Sequence, residues 1–399
     1  MRAQAPWLRK ADFMDTISLD KQFVAPTYGR FPVELVSGKG CALQGADGKQ
    51  YIDLTSGIGV TCFGIGDEQW MAAVTAQLGQ LQHSSNLYYT GPCARLAQLL
   101  CQKTDMAKVF FSNSGAESNE CAIKYARKYS QEKKGAQYST IITLKNSFHG
   151  RTLTTLAATG QDHFHQYFQP LTPGFQHVAA GDLEGVKKLV AEYPTAGILM
   201  EMVQGEGGVL PLDKDFVQGV ARICKEQDIP LMIDEVQTGN GRTGKLYAYM
   251  HYGIQPDIVS TAKGLGGGLP IGATMVCEKL SAVLQPGDHG STYGGNPVCC
   301  AGALSILQRL DDELMAQVTQ KSAYIFSQLT DAEGIESVTG MGLMIGIKTI
   351  KNAKDVVNAC IEKGVLCLTA KDKLRLLPAL NIPMAQLKAA VEVIKDVCK

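Results

Sequence analysis

The sequence has no surplus of either charge: 38 Lys and Arg stand against 38 Asp and Glu. That removes the electrostatic case for a nucleic acid or an anionic membrane surface as partner. No apolar run approaches the roughly 20 residues that a membrane-spanning helix requires. The opening stretch lacks the apolar centre of a secretory leader, and Asp12 and Asp15 argue against a transit peptide. Cysteine is not scarce, but ordered cysteine spacing is. The 12 Cys include no C-x-x-C, and the only close pair is Cys299 and Cys300. The 7 His offer only His163-x-His165, with no third ligand nearby. Structural metal is therefore not expected, and scattered thiols fit a cytoplasmic protein without disulfides. Dinucleotide chemistry is also disfavoured, because Gly57, Gly59, Gly64 and Gly66 do not make G-x-G-x-x-G. Gly239 to Lys245 matches the start of a nucleotide-phosphate loop. Leu246 then stands where a magnesium-binding Ser or Thr is needed, which excludes that reading.

What is present is an ordinary globular composition, 45% hydrophobic and 19% charged over 399 residues, long enough for more than one core-bearing unit. From about residue 107 to 275, short apolar runs alternate with helical patterns, which predicts an α/β fold with a mostly parallel sheet. The candidate strands are 109–111, 139–144, 197–200, 230–233, 257–260 and 273–277, and helical spacing covers 117–129 and 216–227. Before about residue 45, the pattern with the Asp47-Gly48 turn suggests a small antiparallel hairpin system. After Pro297 a long helical stretch runs to about 330. Short strands follow near 343–348, 365–368 and 374–377, with helices near 353–363 and 384–398. The expected division is 1–50 as an N-terminal segment contributing to a small α+β domain, 51–297 as the large domain, and 298–399 as the remainder of the small one.

Chemistry-bearing residues collect at the expected strand ends, where open α/β sheets bind ligands. Lys263 opens a turn containing Gly264, Gly266, Gly267 and Gly268, after the apolar Ile258 and Val259. An amine with so little hydration has a lowered pKa and can act as a nucleophile, although a surface lysine beside a glycine loop has the same spacing. Asp234 and Glu235 follow another apolar run. Two acids there are costly unless partnered, and one could hold the cationic ring nitrogen that pyridoxal chemistry uses as an electron sink. A metal-binding or helix-capping acid is the alternative. Ser114, Gly115 and Ala116 begin a helix after a strand, an anion cradle suited to phosphate or simply an N-cap. Phe148 and Arg151 combine a stacking ring with a guanidinium able to grip a carboxylate. The loop holding Ser291 and Thr292 is weak by itself.

Together the segments Ser114–Glu117, Phe148–Thr152, Gln204–Gly208, Asp234–Gly239, Ala262–Gly264 and Gly290–Thr292 resemble the class III, or ω-, aminotransferases of the fold-type I pyridoxal-phosphate family. The likeness runs from about Pro26 to the C-terminus. It implies a pyridoxal 5'-phosphate (PLP) cofactor bound covalently to Lys263, with Asp234 paired to its ring nitrogen. Gln237 would lie near the ring hydroxyl, with Glu235 adjoining, and Phe148 and Val236 on the two ring faces. Ser114, Gly115 and Ala116 would hold the phosphate, and Thr292 would reach it from a second subunit, so a homodimer with shared active sites is implied. Arg151 would bind a substrate carboxylate, with Tyr28 and Ser291. Glu206 would cover Arg375 while an N-acylated diamino acid donates its terminal amine, and release it for 2-oxoglutarate. His83–Tyr89, Phe148–Thr152 and Gln204–Val209 point to that acylated-donor branch, and His149 stands where the ornithine branch carries tryptophan. Racemases and mutases of the same fold type need no keto-acid acceptor. One departure stands out. The family usually reads Gly-His-x-His-Pro after Gly64, and here Ile65, Gly66, Asp67, Glu68, Gln69 and Trp70 follow, expected to lie apart from the chemistry.

Overall fold

The computed structural model describes residues 15–399; the opening stretch read above for targeting lies outside them. At its centre is a seven-stranded sheet in the spatial order Lys108–Ser112, Gly272–Val276, Ile258–Thr261, Leu231–Asp234, Thr195–Glu201, Thr140–Leu144 and Phe175–Val178. The strands from Ile258–Thr261 to Phe175–Val178 run parallel, and Gly272–Val276 runs against both of its neighbours. The mostly parallel sheet expected from the alternation of runs is therefore present.

Its strands are apolar on both sides because both sides are covered. Side chains alternate across the pleat: Ile141, Leu199, Met232 and Ile258 enter one cluster with Cys121, Ala122 and Tyr125 of helix Gly115–Lys134. Ile142, Ile198, Met200 and Ile233 enter the other, with Leu96 and Leu100 of helix Gly91–Thr104 and Val217 and Val220 of helix Lys214–Glu226. Each fully buried aliphatic side chain contributes about 1.5–3 kcal/mol, so both helix layers are held firmly. The sheet edge Phe175–Val178 was not anticipated. It reads Phe-Gln-His-Val and is mostly half-buried, so it has no continuous apolar run.

Two four-stranded sheets lie outside this layer. Leu35–Lys39, Ala42–Gly45 and Gln50–Asp53 form an antiparallel ribbon, with Gly48 at φ 84° in the turn. Gln50–Asp53 then pairs in parallel with Val365–Leu366 from the far end of the chain. The first ribbon strand begins at Leu35, after Pro32, which lacks a ladder donor. The other sheet joins Ile335–Met341, Met344–Thr349, Lys373–Leu376 and Leu368–Ala370. The helical stretch after Pro297 is two helices, Pro297–Leu307 and Asp312–Leu329. Asp311 starts the second by accepting the Leu314 N–H at 2.9 Å. We propose domain boundaries near residues 50 and 297, the first on the pairing of the N-terminal ribbon with residues 365–366.

Candidate active site

A cleft of about 480 Å³ opens at the carboxyl ends of the parallel strands. Lys263, Asp234, Val236, Gln237, Ser114, Gly115, Ala116, Phe148 and Arg151, from four separate segments, all line it.

Lys263 follows the strand Ile258–Thr261 and opens a single helical turn at φ 44°, a left-handed backbone that is costly for lysine. Gly266 makes the turn possible, since a Cβ there would come within 2.1 Å of the Leu269 carbonyl oxygen. Burial pushes the Lys263 amine below the usual lysine range, more than Glu206 and Asp234 restore it. An amine so placed is readily deprotonated and nucleophilic.

Asp234 ends the Leu231–Asp234 strand and is 4% exposed. Its Oδ2 accepts from Asn119 Nδ2 at 2.7 Å and stands 2.8 Å from His149 Nδ1, while Oδ1 accepts the Val236 N–H at 3.0 Å. Asn119 is held in turn by Ser260 Oγ at 2.5 Å. Adjacent Glu235 has the opposite fate. It is fully buried, accepts from Thr238 Oγ1 at 2.5 Å and the Tyr249 N–H at 2.8 Å, and is not a lining residue of the cleft. Burial raises its pKa to about 7.

Ser114 caps helix Gly115–Lys134, accepting the Glu117 N–H at 3.2 Å. A Cβ on Gly115 would stand 2.6 Å from Val236 Cγ1, so only glycine lets the helix start reach this wall. Open N–H groups and the positive helix end form an anion cradle.

Glu206 and Arg375 are an ion pair, and Gln237 joins it through Nε2 to Glu206 at 3.4 Å and Oε1 from Arg375 at 3.3 Å. Burial alone would raise the Glu206 pKa, but the Arg375 guanidinium holds it below the usual value. Tyr28 is 73% exposed and lies outside the cleft lining. Ser291 and Thr292 line a neighbouring cleft with Asn113, and Asn113 Nδ2 donates to Ser291 Oγ at 3.1 Å. Within one chain Thr292 does not line the cleft that Ser114 lines.

Three lining residues were not assigned roles from sequence. Asn119 sits five positions after Ser114 on the same helix. His149 was noted only as a branch marker. Glu201 lies one residue beyond the expected strand 197–200, is register partner of Asp234, and accepts the Phe148 N–H at 3.0 Å. Burial, and then Asp234, push its pKa well above the carboxylate range. The departure after Gly64 also reaches the site: Trp70 Nε1 donates to the Gly266 carbonyl at 3.0 Å. It therefore supports the glycine turn rather than lying apart from it.

The family model for aminotransferase class III matches residues 23–398. The chain belongs to the class III aminotransferases, which are PLP-dependent fold-type I enzymes. This class III chain is 50% identical over 381 residues to an acetylornithine aminotransferase of Haemophilus ducreyi, covering 95% of its own length and 97% of the relative. It also superposes on an N-acetylornithine aminotransferase from Stenotrophomonas maltophilia, with TM-score 0.81, 32% identity, and coverage of 96% and 98%. An ornithine aminotransferase from Toxoplasma gondii, with PLP at partial occupancy, gives TM-score 0.91 at 29% identity, covering 96% and 93%. The aminotransferase site fits that cofactor on its own geometry: a desolvated lysine, a multiply hydrogen-bonded buried aspartate and a helix start kept open by Gly115.

Proposed function

We infer that the chain transfers the δ-amino group of N-acetyl-L-ornithine to 2-oxoglutarate, giving N-acetyl-L-glutamate 5-semialdehyde and L-glutamate, a step of arginine biosynthesis. The observation that carries this reading is the Glu206–Arg375 pair beside a desolvated Lys263. One site must accept an amine donor with no α-amine to offer and then an α-keto diacid. A carboxylate that can cover or release an arginine meets both needs. The acylated donor rests on the 50% identity to the Haemophilus ducreyi enzyme. Backbone similarity does not separate the branches, because the ornithine enzyme superposes at least as well.

PLP, when bound, supplies the electron sink that lets an amine be exchanged for a carbonyl. The chain does the rest. Lys263 Nζ is the attachment point and then the base that moves a proton from the amine-bearing carbon. Asp234, oriented by Asn119, His149 and the Val236 N–H, would pair with the ring nitrogen. Ser114, Gly115 and Ala116 would receive the phosphate, Phe148 and Val236 would confine the ring, and Gln237 would serve its hydroxyl, with Glu235 bracing the loop behind. Arg151 takes the donor's carboxylate, with Tyr28 and Ser291 completed by a partner subunit. A homodimer is supported by the exposed Leu87, Tyr88, Tyr89 and Tyr293 and by Thr292 lining a cleft other than that of the cradle. No described helix is long and apolar enough to cross a membrane. All twelve cysteines are free, which supports a cytoplasmic setting.

The test is the absorbance spectrum of purified protein before and after N-acetylornithine alone. The reading expects a visible cofactor band that bleaches, and regains its strength with 2-oxoglutarate. A colourless protein that takes up no PLP overturns it. A higher kcat/KM for ornithine, succinylornithine, succinyldiaminopimelate or 4-aminobutyrate moves the donor assignment to that amine.

A further inference from the structure

Arg151 is an exposed cation at the cleft, and among the described residues it makes no ion pair and no hydrogen bond. Two aromatic rings hold it. Its Cζ lies 3.9 Å from the Phe164 ring centroid and 5.4 Å from that of Phe148. Phe164 also meets Phe148 edge to face, with centroids 6.0 Å apart at 72°. A guanidinium over an aromatic face is attracted by the ring quadrupole while its N–H groups stay free. That distinguishes an aromatic shelf from a carboxylate partner, which would occupy the donors that a substrate needs.

The shelf is anchored to the loop that it serves. Phe164 ends the short turn Asp162–Phe164, and its N–H donates to the Gln161 carbonyl at 3.0 Å. Buried Gln161 sends its Nε2 back to the Ser147 carbonyl at 3.0 Å, one residue before Phe148. His165 Nε2 lies 2.8 Å from the Thr159 carbonyl and fixes the other side of the turn. One half-buried phenylalanine, from a segment with no part in the chemistry above, thus carries the expected carboxylate-binding arginine and only meets the edge of the expected cofactor-covering ring.

We propose that Phe164 is a positioning residue that orients Arg151 toward the substrate carboxylate and so selects carboxylate-bearing amine donors. This rests on Arg151 being the carboxylate-binding residue. The experiment compares wild type, Phe164→Leu, Phe164→Tyr and Arg151→Leu in the donor half-reaction, followed by the cofactor band. The two donors are N-acetylornithine and N-acetyl-1,4-diaminobutane, which is the same chain without the carboxylate. In parallel, calorimetry measures the Kd of N-acetylnorvaline, which keeps the carboxylate but has no terminal amine. Phe164→Leu should raise the KM for N-acetylornithine and the Kd for N-acetylnorvaline by about five- to tenfold, the scale of a lost cation–π contact. The maximal rate and the reaction of the carboxylate-free donor should change by less than about twofold. Phe164→Tyr, which keeps a ring face, should restore wild-type values. Equal losses for both donors, or no loss of discrimination, overturn the proposal for Phe164. If Arg151→Leu still prefers the carboxylated donor, the assignment of Arg151 itself falls, and the proposal with it. If only Arg151→Leu loses the preference, Arg151 stands and Phe164 does not.

Discussion

Two carboxylates are held in contrasting ways: Asp234 lines the cleft, and Glu206 meets it through the lining residue Gln237. Asp234 is 4% exposed, ends a central strand, and is ringed by a buried amide, a buried imidazole and a backbone N–H. Glu206 has a side chain 31% exposed in a loop, and its main partner is one arginine 169 positions away in the sequence. The first is held as a fixed acceptor, and the second has a single main partner. Three hydrogen-bond partners keep the Asp234 carboxylate in one orientation. Partial exposure gives Glu206 an alternative to its partner, because water can solvate it if it swings away.

Truncating the fixed side breaks the comparison most severely. Asp234→Ala leaves Asn119 and His149 buried without their acceptor and removes the expected counter-charge to the ring nitrogen. Activity should fall on the order of a thousandfold, together with weaker PLP uptake seen in the visible spectrum. Undiminished uptake and turnover would falsify the fixed-acceptor reading. Next in size is Glu206→Ala, which leaves Arg375 uncovered. Preference should move toward α-amino donors such as glutamate by about tenfold or more, measured as a ratio of kcat/KM values. An unchanged ratio sinks the gate.

The third test uses pH. The folded pKa of Glu206 is depressed, so its ion pair is present above the unfolded carboxylate pKa and is lost as pH falls through the folded one. Wild-type donor preference should therefore be flat from about pH 6 to 8 and should weaken only on acidification. The last test concerns stability rather than activity, at Glu235, which shares its sequence neighbourhood with Asp234 but does not line the cleft. Its folded pKa is raised to about 7, so the folded state binds its proton more tightly than the unfolded chain. That contribution is present at low pH and is lost as pH rises from the ordinary carboxylate range toward 7. Glu235→Gln should flatten this part of the stability curve, by no more than about 3 kcal/mol. Urea midpoints measured across that range check it.

The central sheet was readable because strands covered on both faces are continuous apolar runs, and six of its seven strands show as such. The seventh, Phe175–Val178, is a short edge whose pairing with Thr140–Leu144 carries it where its own composition does not. The long helical stretch after Pro297 was misread as one element because periodicity continues across a gap that Asp311 fills as a cap. At the site, Lys263, Asp234 and the Ser114–Ala116 cradle were visible because each follows a strand in the sequence. Glu206 and Arg375 came only through family resemblance, since no local pattern connects a loop acid to an arginine in a distant strand. Glu201 was passed over because the strand was ended one residue early, at the last apolar position. The departure at Trp70 was noticed, but its contact with Gly266 was not, because a helix and a turn 196 positions apart share no local signal.

By itself, then, the sequence determined which segments are strands, which residue types stand at their ends, and that these suit a phosphate, a ring nitrogen and a covalent amine. Those are properties of neighbouring residues, and short-range sterics and hydrophobic periodicity encode them. Only the tertiary structure decided which of two adjacent acids faces the cleft, which arginine Glu206 meets and which ring carries Arg151. Each of those outcomes depends on how separate elements pack, and desolvation and hydrogen-bond partners are set there rather than along the chain.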